Sequence, residues 1–142
     1  MIVLDASAAV DVVLRLEPRG PWVEARLLAS ADSIHAPHLI DIEVAGAIRR
    51  HARQGAVSER AARRALDDFR DLRLVRYPHG ALLERIWQLR ANLTAADAAY
   101  IALAEALGAP LVTTDSALAR APGHRARVDA YCDPSASPPA GG

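Results

Sequence analysis

Lysine is absent from this chain of 142 residues; all 17 of its basic residues are arginine. That excludes phosphoryl-transfer sites of the P-loop kind, which need a phosphate-binding lysine. It also excludes Schiff-base chemistry, which needs a lysine amine. The single cysteine, Cys132, leaves no internal disulfide, as suits a reducing cytosol. Aromatics are scarce, with Phe 1, Trp 2 and Tyr 3, so the core must be built from Ala, Leu, Val and Ile. No apolar run approaches the length that spans a bilayer. The start of the chain lacks a basic stretch, apolar stretch and small-residue cleavage site in series, the pattern of a secretory signal. A cytoplasmic protein without membrane contact is expected. Acidic residues also number 17, so the net charge is +0.

The length and composition fit one domain. It is expected over 1–132, followed by a disordered tail at 133–142 made mainly of Pro, Ser, Ala and Gly. Strands are predicted at 2–4, 33–36, 74–77 and 111–113, with a further one around 127–131. Helices are predicted at 6–16, 22–30, 38–53, 59–72, 81–90 and 95–107, with a short one from Ser116. Pro18, Gly20 and Pro21 separate the first two helices, Pro37 closes the second strand and Pro78 ends the third. Ser58 and Thr94 are the expected N-caps, and Gly108 the stop after the 95–107 helix. Strands alternating with helices argue for a mainly parallel α/β sheet of four to five short strands, covered on both faces.

Four acids stand against apolar sequence, where a carboxylate is costly unless paired or metal-bound. Asp5 ends Met1-Ile2-Val3-Leu4, and Glu43 lies within Leu39-Ile40-Asp41-Ile42-Glu43-Val44. Asp97 opens Ala98-Ala99-Tyr100-Ile101-Ala102-Leu103, and Asp115 follows Leu111-Val112-Thr113-Thr114. Ligands of such sheets bind beyond the C-terminal strand ends, where Asp5 and Asp115 are expected. A helix running back antiparallel before the fourth strand would bring Asp97 to the same edge. Glu43, about five residues into its helix, lies roughly 7 to 8 Å from that helix's start and reaches the edge. Two carboxylates about 5 Å apart repel by roughly 3 kcal/mol at an effective dielectric near 20. A four-acid cluster therefore calls for a divalent cation, and oxygen donors favour Mg²⁺ or Mn²⁺ over Zn²⁺. Taken singly, Asp5, Asp97 and Asp115 also read as helix caps, and Glu43 as an ion-pair partner of Arg50. Asp11 and Asp41 read as solvated helix residues.

Order and spacing of these pieces resemble the PIN-domain nucleases, and among them the VapC-type toxins of bacterial toxin–antitoxin pairs, nearly to Tyr131. Ile2-Val3-Leu4-Asp5-Ala6-Ser7 resembles the strand-Asp-x-Ser opening. Pro37-His38-Leu39-Ile40-Asp41-Ile42-Glu43-Val44 resembles the Glu-bearing helix. Leu93-Thr94-Ala95-Ala96-Asp97 and Gly108-Ala109-Pro110-Leu111-Val112-Thr113-Thr114-Asp115 complete the match. Family members often carry an aromatic soon after the last Asp; Ser116-Ala117-Leu118 departs from that. The resemblance implies a PIN-like three-layer α/β/α fold and a metal-dependent endoribonuclease. It implies that Asp5, Glu43, Asp97 and Asp115 are catalytic and bind Mg²⁺ or Mn²⁺, with Ser7, Thr113 and Thr114 in support. It further implies an RNA substrate, a small cognate VapB-like antitoxin and a homodimer.

No Ser-His-Asp or Cys-His constellation is legible, so hydrolysis by metal-activated water is expected, leaving a 5′-phosphate. Nine of the arginines lie between Arg49 and Arg76. They read as a solvated helical face with internal ion pairs, or as a rim holding RNA phosphates, with Arg49, Arg50 and Arg53 the candidates. Trp22, Trp87 and Phe69 read as core or dimer packing, and Tyr100 as packing beside Asp97. Alternatives are a PIN-fold binding module without catalysis and a haloacid-dehalogenase-like phosphatase. The phosphatase would want a second Asp where Ser7 stands, and a downstream Lys.

Overall fold

The computed structural model describes residues 1–30 and 33–136. Most of the expected tail, 137–142, lies outside the described residues; Asp133 to Ala136 form a hydrogen-bonded turn. Five strands, β1 (Ile2–Leu4), β2 (Ile34–Pro37), β3 (Leu74–Tyr77), β4 (Leu111–Thr113) and β5 (Val128–Ala130), form one sheet in the order β3-β2-β1-β4-β5. Every pairing is parallel. β1 and β4 are buried at every residue, as central parallel strands covered on both faces must be. β3 and β5 form the edges and are only partly buried.

Among the described residues seven α-helices flank the sheet: α1 (Ala6–Val13), α2 (Arg19–Ala29), α3 (Ile40–Arg53), α4 (Glu59–Asp71), α5 (Leu83–Gln88), α6 (Ala95–Leu107) and α7 (Ser116–Arg120). α1 contacts α2, α3 and α4, while α5 packs on α6 and α6 lies against β1, β2 and β4. The result is the expected three-layer α/β/α arrangement. α6 is apolar nearly all round and is buried continuously from Ala98 to Ala104, as befits a helix pressed against the sheet. Thr94 Oγ1 accepts the Asp97 N–H, and Gly108 closes the helix at φ 61°.

Several boundaries differ from expectation for local reasons. α1 stops at Val13 rather than residue 16, and Arg15 turns the chain at φ 56°. α2 begins at Arg19 instead of residue 22, because Pro21 falls in its first turn, where a missing N–H costs nothing. Gly20 is required there: a Cβ at this position would sit 2.8 Å from the Asp11 carbonyl oxygen. α3 begins at Ile40 rather than residue 38. The His38 and Leu39 N–H groups are instead bound by the Tyr77 carbonyl and His79 Nε2, at the end of β3. Pro37 belongs to β2, paired with Tyr77. The 81–90 helix is a 3₁₀ turn, Gly80–Leu82, followed by α5.

Candidate active site

Strand order places the site. From β1 the chain lays β2 and β3 to one side, then returns to lay β4 and β5 on the other. The crevice beyond the C-terminal ends of β1 and β4 is thus the topological switch point, where open α/β sheets bind ligands. Asp5 follows β1 directly, and Asp115 follows β4 after Thr114.

Asp5 is 6% exposed. Ser7 Oγ donates to its Oδ2 at 2.6 Å and Thr113 Oγ1 donates to the same oxygen at 2.7 Å. Each hydroxyl has one proton, so both are spent on Oδ2. The lone pairs of those hydroxyls then accept the Thr114 and Asp115 N–H groups at 3.2 and 3.0 Å. The two hydroxyls therefore bolt the end of β1 to the end of β4 through one carboxylate oxygen. Burial nonetheless pushes the Asp5 carboxyl above its ordinary range, against those bonds, with Asp97 adding repulsion.

Glu43 stands in the first turn of α3, closer to its start than expected because the helix begins two residues later. Tyr100 Oη donates to its Oε1 at 2.7 Å. Glu43 forms no ion pair with Arg50, which stands too far along the helix for the usual spacing of three or four. Burial raises the Glu43 carboxyl, the Tyr100 bond opposes this, and Asp5 and Asp97 raise it further. Tyr100 is itself held well above its usual value by burial and by the Glu43 carboxylate. Its ring packs in the core as expected, at 1% exposure, but its hydroxyl joins the site, a second role that its apolar sequence setting conceals. Asp97, half-buried on the first turn of α6, is raised by burial and then by Asp115, with the Thr94 bond opposing. Asp115 is exposed and caps α7 through the Ala117 N–H at 2.9 Å. Its capping role is real, and so is its electrostatic contact with Asp97.

The four acids thus share one field, coupled as Asp5–Asp97, Asp5–Glu43, Glu43–Asp97 and Asp97–Asp115. Among the described residues, no three acidic, His or Cys side chains stand at direct ligating distance of one ion. An Mg²⁺ ion held here would meet one or two of the carboxylates directly and the others through its waters. The donor set is all oxygen, the chemistry of Mg²⁺ and Mn²⁺ rather than Zn²⁺.

A cleft of 460 Å³ opens along this edge, lined by Ser7, Asp11, Arg19, Glu43, Arg50 and Asp115 among others. Asp11 is not the solvated residue expected. It is 5% exposed, accepts Thr114 Oγ1 at 2.6 Å and pairs with Arg19 Nε at 3.0 Å. Its partners lie across a helix break and 103 residues along the chain, so no local pattern announces it. Asp41 also differs, pairing with Arg76 Nη2 at 2.9 Å. Of the three candidate RNA-contacting arginines, Arg50 lines the acid cleft. Arg49 and Arg53 line a separate groove of 390 Å³ between α3 and α4. Phe69 is buried as expected and Trp22 stacks under the Arg26 guanidinium, but Trp87 is 65% exposed.

With fold and acids in place, the chain belongs to the PIN domain family, which matches it over residues 2–124. Within that family it is similar to the VapC ribonuclease Mb0985 of Mycobacterium bovis, at 48% identity over 115 residues, 81% of this chain and 86% of that one. Ribonuclease VapC12 of Mycobacterium tuberculosis is 43% identical over 129 residues, 91% of this chain and 98% of that one. Its fold is also that of VapBC2 from Rickettsia felis, crystallised with a promoter DNA fragment. That match has a TM-score of 0.66 over 92% of this chain and 98% of that one, at 19% identity. No helix among the described residues is long and apolar enough to cross a membrane.

Proposed function

We propose that this protein is an endoribonuclease that hydrolyses RNA phosphodiester bonds and acts as the toxin of a toxin–antitoxin pair, with Mg²⁺ or Mn²⁺ held by Asp5, Glu43, Asp97 and Asp115. The observation that carries the reading is the convergence of these carboxylates at the switch point. Three of them are raised by burial and mutual repulsion. Its relatives of 43–48% identity, ribonucleases by name, support the substrate class.

When bound, such an ion supplies an acidified water and neutralises charge on the leaving oxygen. The chain does the rest. Ser7 and Thr113 both donate to Asp5 Oδ2 and so fix the orientation of its carboxylate. Tyr100 fixes Glu43 by one oxygen, which leaves Oε2 for the ion. Asp97 and Asp115 supply the remaining negative charge, and Thr114 ties Asp11 into the cleft wall. Arg50 contacts the RNA backbone from α3. The product carries a 5′-phosphate, because no 2′-hydroxyl attack is required.

The protein works in the cytoplasm beside a small VapB-like antitoxin; the Rickettsia felis relative, crystallised as a VapBC2 complex, supports such a partner. It forms a homodimer, for which Leu83 and Trp87, one turn apart on α5 and 59% and 65% exposed, supply apolar surface. The test is incubation of labelled RNA and of DNA of the same sequence with Mg²⁺, Mn²⁺ or a chelator. RNA cleaved only with metal, leaving 5′-phosphate ends, is the expected result. Cleavage that persists in chelator would refute the proposed site, and no cleavage with either ion would refute the enzyme.

A further inference from the structure

A second cleft, of 620 Å³, adjoins the first and is lined by Glu17, Arg19, Thr114, Arg120, Tyr131 and Asp133 among others. Arg19 and Thr114 line both clefts, so the two meet at the Asp11–Thr114–Arg19 linkage. Arg19 pairs with the buried Asp11, its Nε standing 3.0 Å from Oδ2. Here Arg19 makes no other bond among the described residues, and its side chain is 46% exposed. Its guanidinium is thus held at the cleft wall by a buried carboxylate while remaining open to solvent. Arg120, on α7 shortly after Asp115, spends Nη1 on Ser116 Oγ at 3.2 Å and has no ion pair among the described residues. Both guanidinium groups thus retain the donor geometry suited to phosphate. Glu17 and Asp133 stand on the same walls. Tyr131, packed edge-on to Trp22 at 5.7 Å, also lines the cleft.

We propose that this second cleft seats the RNA strand on one side of the scissile bond, with Arg19 and Arg120 each holding a backbone phosphate and Asp11 positioning Arg19. The seat rests on the ribonuclease reading of the acid cleft, and extends it by fixing where the uncleaved strand lies.

The test compares wild type, Arg120→Gln and the pair Arg19→Gln with Arg120→Gln. Binding of a short labelled single-stranded RNA is measured in chelator over a range of salt, and cleavage separately with Mg²⁺. Each lost phosphate contact makes the slope of log K against log salt shallower by about 0.7, hence about 1.4 for the pair. Affinity of the pair falls roughly tenfold at 0.1 M salt. In cleavage, KM rises while kcat holds, the mark of lost uniform binding. Arg19→Gln also deprives Asp11 of its cation, so Arg120→Gln, which loses no ion pair, is the deciding variant if the double substitution misfolds. The charge-keeping Arg120→Lys restores the slope. An unchanged slope in Arg120→Gln overturns the seat while leaving the nuclease intact. A changed slope in a protein that cleaves nothing with Mg²⁺ supports the seat and overturns the nuclease.

Discussion

Charge is handled in opposite ways in two regions of this molecule. On α4, Arg63 meets Asp67 at 2.9 Å, Arg64 meets Asp68 at 4.0 Å and Arg70 meets Asp67 at 3.9 Å, all at helix spacings of three or four and all substantially exposed. At the sheet edge, Asp5, Glu43 and Asp97 are buried or half-buried and meet hydroxyls, a helix cap and one another. The α4 pairs satisfy themselves and are each worth only a few tenths of a kcal/mol. The edge acids raise the free energy of the empty fold. A chain tolerates such a cost where an external cation relieves it, so the contrast tells surface chemistry from a working site better than charge counting does.

Four changes probe these two regions. The largest effect is expected for Asp97→Asn, which removes one of the coupled acids. Metal-dependent RNA cleavage should fall by about a hundredfold or more, while the melting temperature of the metal-free protein rises. Retained activity would remove Asp97 from the site. Next comes Tyr100→Phe, which frees Glu43. Apparent Mg²⁺ affinity should drop about 10- to 100-fold, with activity recovered at high Mg²⁺. Loss that no Mg²⁺ concentration recovers would mean that Tyr100 does more than position Glu43.

A smaller effect follows from protonation. The raised carboxyls of Asp5, Glu43 and Asp97 bind protons more tightly folded than unfolded. Their contribution to stability is present below their ordinary values of 3.8, 4.5 and 3.8 and is lost as pH rises through the raised ones. Thermal denaturation of metal-free protein should show this fall, and added Mg²⁺ should flatten it by binding only the folded state. An identical pH profile with and without the ion would argue against ion binding at these groups. Smallest of all is Arg63→Ala on α4. It should change stability by under about 0.5 kcal/mol in denaturant melts and leave cleavage alone. A large loss there would erase the distinction between the two regions.

Much of the site is legible in the chain because strand ends and helix caps are local events. Asp5 and Asp115 each follow a short apolar run, Thr94 announces the start of α6, and a parallel α/β alternation is enough to send all three acids to one edge. For Glu43 the local pattern gives the right direction but sets it too deep in its helix. The His79 ring that takes the Leu39 N–H lies 40 residues away and leaves no trace in local composition. Asp11 escapes altogether, since the residues that make it special come from α2 and the end of β4. Trp87 reads as core or as dimer packing, and local pattern does not choose between them; its indole lies outside, under the Arg90 guanidinium at 4.4 Å. What local pattern does not encode is which polar side chains meet after the sheet has closed.

Gly20 acts on the site from an unexpected place. Lacking a side chain, it lets α2 start flush against the carbonyl of Asp11, and the residue just before it is Arg19. Even a methyl group at position 20 would wedge the two helices apart and swing that guanidinium off its anchor. A position with no chemistry of its own would then govern how tightly a nucleic-acid strand is gripped, and alanine there should read out as an RNA-binding defect in a protein whose acids are untouched.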